Sequence, residues 1–239
     1  MIPWSIARVG LLCSIGILLT SIGGCSALRS PATLPPAFYS LDSTSGQSES
    51  ARTARAAGSI AAPTLIVYPP QAAAGFDSQR IIYVREAHRL DYFAHSEWVD
   101  TPARMLAPLI VAAIESSGTF HSVLQAPTAA VGELRLNTEI LRLQQEFSSQ
   151  PSRVRFTLRA YIVDNTTRRV LASRVFDEIV AAATEDPYGG VASANRAVQS
   201  VLEQLAGFCT TVVVQSQTAS AEAAKQVVEH PHSPPSHGS

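Results

Sequence analysis

The sequence predicts an α+β fold: a single domain with a largely antiparallel or mixed β-sheet and two main helices packed on one face. Three observations carry this expectation. Val154 to Ile162 alternates Val154, Phe156, Leu158, Ala160 and Ile162 with Arg155, Thr157, Arg159 and Tyr161, the period-two pattern of a half-buried strand. Two other stretches repeat at helical spacing: Leu106, Leu109, Ile110, Ala113 and Ile114, then Val191, Ala194, Val198, Val201, Leu202 and Leu205. The order of elements is strands, helix, strands, helix, which favours helices gathered on one side of a sheet over a regular βαβ winding.

Each element has a local reason. Phe38 to Leu41 is a short first strand, and Asp42 to Ala62, rich in Ser, Ala, Gly and Thr, reads as a mobile loop. Thr64 to Tyr68 is β-rich and closes at Pro69-Pro70. Arg80 to Arg85 and Arg89 to His95 form a hairpin across Glu86-Ala87-His88. Thr101-Pro102 supplies an N-cap with proline at the first helical position, and Gly118 a C-terminal stop. Pro108 costs about 3 kcal/mol in an ideal helix interior, less in this second turn. Phe120 to Leu124 and Glu133 to Leu143 follow as strands, the latter with Leu134, Leu136 and Ile140 on one face. The polar turn at Asp164-Asn165-Thr166-Thr167 leads to a return strand from Arg169 to Ile179. Gly189-Gly190 precedes the second helix, which ends at Gly207, and the His/Pro-containing tail 215–239 is expected to be disordered.

The N-terminus has its own pattern. Arg8 precedes an apolar run from Val9 to Thr20 and the small-residue stretch Ile22-Gly23-Gly24-Cys25. That order is a secretory signal's. A cysteine in the first mature position points to a bacterial lipobox, in which the Cys25 thiol takes up a diacylglyceryl group and the chain is cut just before it. As an uncleaved helix the run would be only about 18 Å long, against a hydrocarbon core of about 30 Å. Ser26, where aspartate would favour the inner membrane, favours the outer one. No later segment is expected to span a membrane. The domains are therefore a signal peptide at 1–24, a proline-containing tether at 25–36, a folded domain at 37–214 and the tail.

Composition narrows the chemistry. The net charge is −1, no basic cluster suggests nucleic acid, and the single lysine, Lys225, lies in the tail. Of three cysteines, Cys13 leaves with the leader, Cys25 is lipidated, and Cys209 remains as a buried structural thiol without a disulfide partner. His88 and His95 are seven positions apart, so a regular strand points them to opposite faces. With His121 isolated and His230, His232 and His237 in the tail, no metal site is expected. There is no Gly-x-Ser-x-Gly elbow and no P-loop, and Asp91 and Glu97 read as solvated acids. Neither an enzyme nor a cofactor is expected.

The large rings Tyr83, Tyr92, Phe93 and Trp98 concentrate before the first helix. Two readings stay open: packing between sheet and helix, or a surface facing a partner or lipid.

At this segment the chain resembles a known family. Arg80-Ile81-Ile82-Tyr83, Leu90-Asp91-Tyr92-Phe93-Ala94, Trp98 and Pro102-Ala103-Arg104-Met105-Leu106 carry the resemblance, with Val154 to Ala160, Asn195-Arg196-Ala197 and Cys25. Together they resemble the ABC-type transport auxiliary lipoproteins from Phe38 to about Cys209. The resemblance implies a non-catalytic periplasmic component of a lipid-trafficking system. Its implied partners are an ATPase, a permease and an MCE-domain substrate-binding protein, and a homo-oligomer, since some members form rings. It gives Tyr83, Tyr92, Phe93 and Trp98 as the candidate contact surface and Cys25 as the anchor. A rival class is an outer-membrane lipoprotein acting as an envelope assembly or scaffold factor without a transport role.

Overall fold

The structure, a computed structural model, describes residues 35–42 and 62–229. Contacts divide the chain between Pro35 and Pro36, and the domain belongs to the Pro36–Ser239 unit. The leader, Cys25, most of the tether, residues 43–61 and the His/Pro segment 230–239 lie outside the described residues. In chain order the elements are β1 (Ala37–Tyr39), β2 (Thr64–Val67), β3 (Gln71–Ala72), β4 (Arg80–Val84), β5 (Asp91–Trp98), α1 (Pro102–Glu115), β6 (Ser122–Gln125), β7 (Leu134–Glu146), β8 (Arg153–Asp164), β9 (Val170–Ala181) and α2 (Pro187–Glu229).

The sheet is mixed and is organised about β7. On one edge β7 pairs antiparallel with β8 from Leu134↔Asp164 to Glu146↔Arg153, and β8 pairs antiparallel with β9. On the other edge β2, β3 and β4 follow one another along β7, all parallel to it. β6 extends the sheet beyond β2, while β5 and then β1 extend it beyond β4. Both helices pack on one face, as expected, α2 across β8 and β9 with α1 beside it.

The alternation in β8 places Val154, Phe156, Leu158, Ala160 and Ile162 in the core. β7 behaves less simply. Its buried positions are 134, 136, 138 and 140, then 143 and 145, because the register shifts between Ile140 and Arg142. That extra residue is a β-bulge, which re-aims every later side chain. On the outer face, Arg159 pairs with Glu139 at 3.0 Å, and Arg153 and Arg155 converge on Glu146 at 3.2 and 3.5 Å.

The predicted hairpin is β4–β5, with His88 in the left-handed region (φ 66°) at its turn. Helix α1 starts behind Thr101 with Pro102 at its head and buries Leu106, Ile110 and Ile114 completely. Pro108 sits on its exposed face, where water can satisfy the carbonyl that loses its bond. The helix ends at Glu115, and Gly118 follows in a left-handed conformation (φ 64°).

Helix α2 departs from expectation at both ends. It begins at Pro187, so Gly189 and Gly190 lie inside its first turn. The Asp186 carboxylate accepts the Gly189 N–H at 2.8 Å and a Thr184 hydroxyl at 2.9 Å, and the Gly189 bond lowers its pKa from the ordinary value. Glycine is required here for space: a Cβ on Gly189 would strike Thr184, and one on Gly190 the Gln145 side-chain amide. At the other end α2 does not stop at Gly207 but runs to Glu229, through the first part of the segment expected to be disordered. One helical glycine costs about 1 kcal/mol, whereas burying a valine-sized side chain contributes about 1.5–3 kcal/mol. Cys209, Val212 and Val213, all buried beyond Gly207, outweigh it. Over Pro187–Ala219 α2 is also long and apolar enough to cross a membrane, contrary to expectation. Its apolar stripe is occupied instead by β8 and β9, with Phe208 edge-on to Phe176 at 5.9 Å.

These two glycines separate the readings. Gly207→Ala meets open space and should stabilise the domain by about 0.5–1 kcal/mol in chemical denaturation. Gly190→Ala should destabilise it by about 1–3 kcal/mol through overpacking against Gln145. A loss of stability in Gly207→Ala would restore Gly207 as a helix stop.

Candidate functional site

The four rings singled out in the sequence part company in the fold. Trp98 is 3% exposed and packs with Ile81, Leu143, Val154, Val191 and Ala194. It belongs to the core and offers no contact surface, so the expectation that it faces a partner is corrected. The cause is a register shift of three residues. Arg80 is opposite Glu97, yet Ile82 is opposite Tyr92, so an irregular stretch of β5 turns Trp98 inward.

Tyr83 and Phe93 stay together, with centroids 4.7 Å apart, and Phe147 meets Tyr83 edge-on at 5.8 Å. The Arg85 guanidinium lies 5.3 Å from the Tyr83 ring and 5.4 Å from Phe147, in cation–π range of both. Tyr83, Phe93 and Phe147 are half-buried, and Arg85 is exposed. This cluster sits where β4 pairs with the last residues of β7.

Tyr92 projects from the other face of the hairpin, 49% exposed, beneath Arg80 at 4.1 Å. Phe38 of β1 is opposite Glu97, which is opposite Arg80, so the three line up on one face across β1, β5 and β4. Phe38 is 58% exposed, and Leu90 and Val99 are exposed beside these strands. The end of β1 is fastened to α2. The Asn195 amide donates to the Ser40 carbonyl at 3.2 Å, and its oxygen accepts the Asp42 N–H at 2.9 Å. Phe38, Arg80, Arg85 and Phe147 were not singled out in the sequence. Phe147 was hidden by the bulge, since simple alternation in β7 fails after Ile140.

A groove of about 400 Å³ lies between the helices, lined by Leu109, Ala113, Val198, Leu202 and Ala206 with the carboxylates Asp42 and Glu203. Its lining holds no histidine, cysteine or lysine. Among the described residues no group of three His, Cys, Asp or Glu side chains could hold a metal ion. Cys209 is fully buried, and desolvation pushes its thiol up to about 12. At neutral pH it is a packing residue without thiolate character, as the sequence indicates.

A family model described as the ABC-type transport auxiliary lipoprotein component matches residues 39–206. The chain belongs to this family. An auxiliary lipoprotein serves an ABC-type transport system without catalysing a reaction itself, in a periplasmic setting. Solved structures share the fold. Protein XCC0632 from Xanthomonas campestris superposes with a TM-score of 0.61 at 23% identity, covering 66% of this chain and 89% of its own. A crystal structure titled only as an uncharacterized protein gives 0.55 at 10% identity, covering 74% and 98%. Comparison with curated proteins finds no match.

The partition of the rings is measurable. Trp98→Ala should cost about 3–5 kcal/mol, whereas Tyr92→Ala should stay within about 0.5 kcal/mol. Maleimide labelling of Cys209 reports the same event: the native thiol should stay unlabelled and react only as the domain unfolds. Equal costs for the two substitutions would contradict the burial pattern.

Proposed function

We propose that this auxiliary lipoprotein is the outer-membrane-anchored member of an MCE-associated ABC system that moves lipids or other hydrophobic substrates across a Gram-negative envelope. The observation that carries the reading is the family match across the domain, joined to a leader that ends at Cys25. Acylation at Cys25 holds the chain in the membrane, each buried CH₂ adding about 0.8 kcal/mol. From Cys25 to Pro36 the chain advances 11 residues, a reach of at most about 40 Å. Within that radius the domain docks on a periplasmic MCE-domain assembly, which connects it to the permease and ATPase, and positions that assembly relative to the membrane.

The surface best suited to the protein contact is the Tyr83–Phe93–Phe147 cluster with Arg85. Rings held against one another lose little side-chain freedom on binding, and aromatic and Arg side chains are enriched where interfaces gain most of their energy. The half-buried rings also support the hairpin, so exposed Arg85 is the side chain to alter.

Tagged full-length protein, extracted from membranes in mild detergent, should co-purify with permease, ATPase and MCE-domain subunits. Arg85→Glu should reduce their recovery several-fold with an unchanged Tm. Recovery of envelope assembly factors without any transport subunit would replace this reading with the scaffold role.

A further inference from the structure

We propose that the outer face of the β1–β5–β4 edge, built from Phe38, Tyr92 and Arg80 around half-buried Glu97 with Leu90 and Val99 beside it, rests on the phospholipid surface to which the chain is tethered. The proposal rests on the anchoring of Cys25 set out above and adds a defined orientation to it.

Two observations on the domain support a bilayer as the occupant. The first is where the chain enters. The 11-residue connection from Cys25 ends at Pro36, immediately before β1, and β1 pairs only with β5. The patch begins at Phe38, two residues further on. The tether therefore enters the domain at this edge, and a short tether makes even a weak surface contact effective.

The second is the chemistry of the patch. Phe38 and Tyr92 are about half exposed; the amphipathic ring of Tyr92 suits the level of lipid headgroups, and Phe38 beside it offers a purely apolar ring. Arg80 stacks on Tyr92 at 4.1 Å, which leaves its guanidinium edge able to donate to a headgroup phosphate. The other exposed apolar group of the sheet, Val170, Leu171, Val175 and Ile179, lies on β9. That strand is five steps away along the path β1-β5-β4-β7-β8-β9, about 24 Å at the usual strand spacing. No tether enters there.

The test uses the mature lipidated protein in vesicles of phosphatidylethanolamine and phosphatidylglycerol. Nitroxide labels are placed singly at Phe38→Cys, Tyr92→Cys and Val131→Cys. Buried Cys209 does not compete for the label. Val131 is 92% exposed just before β7, at the end of that strand away from the hairpin.

Accessibility to oxygen and to an aqueous nickel chelate is then compared. Labels at 38 and 92 should gain oxygen contact and lose chelate contact several-fold on vesicles, while the label at 131 stays aqueous. A label at exposed Ser40, with both rings intact, should show the same trend, and Phe38→Asp/Tyr92→Asp should return it to water. Aqueous labels at 38, 92 and 40 on protein that still floats with vesicles would overturn the membrane face alone. Labels shielded only after transport subunits are added would overturn it in favour of a protein interface. Protein that fails to float would remove the anchor, and this proposal with it.

Discussion

Everything in the domain is referred to strand β7, which must satisfy two edges at once. One edge is met by β8 along its whole length, and the other by β2, β3 and β4 placed end to end. Its backbone groups are thus bonded on both sides, through one strand on the first edge and three on the second. A displaced β7 would leave a row of buried N–H and C=O groups without partners, each at a cost of about 1–3 kcal/mol. The bulge between Ile140 and Arg142 lets one strand serve all these neighbours. It also swings Leu143, Gln145 and Phe147 into phase with the helix-covered face.

Several elements were legible because their pattern is local. The alternation of Val154 to Ile162 gives β8, Thr101-Pro102 opens α1, and the Glu86-Ala87-His88 break gives the hairpin. What stayed hidden depends on contacts distant in sequence. Gln71 and Ala72 form β3 only because the Glu139–Ile140 segment of β7 lies alongside, and a two-residue strand has no periodicity to detect. Gly207 looks like a stop until Cys209, Val212 and Val213 are seen buried past it.

The same limit applies to the aromatic segment. Its concentration of rings was visible, but their division was not. The hairpin shift that buries Trp98 also leaves Tyr83 beside Phe93 and puts Tyr92 on the opposite face. Core packing and surface exposure are therefore both present in one stretch of chain, on different residues.

The resulting molecule suits an auxiliary component of an ABC-type transport system. Its one thiol among the described residues is buried. Its distinctive chemistry lies on the hairpin, which carries an Arg-capped ring cluster on one face and exposed rings on the other. The proposed function depends on where such a domain is held. The decisive measurement is therefore the intact mass of the protein extracted from its native membrane, with fragmentation of the N-terminal peptide. The chain should begin at Cys25 and carry a thioether-linked diacylglyceryl group with a further acyl chain on its amine. A chain that still begins at Met1, or one that begins at Cys25 without acyl groups, would contradict the anchored function.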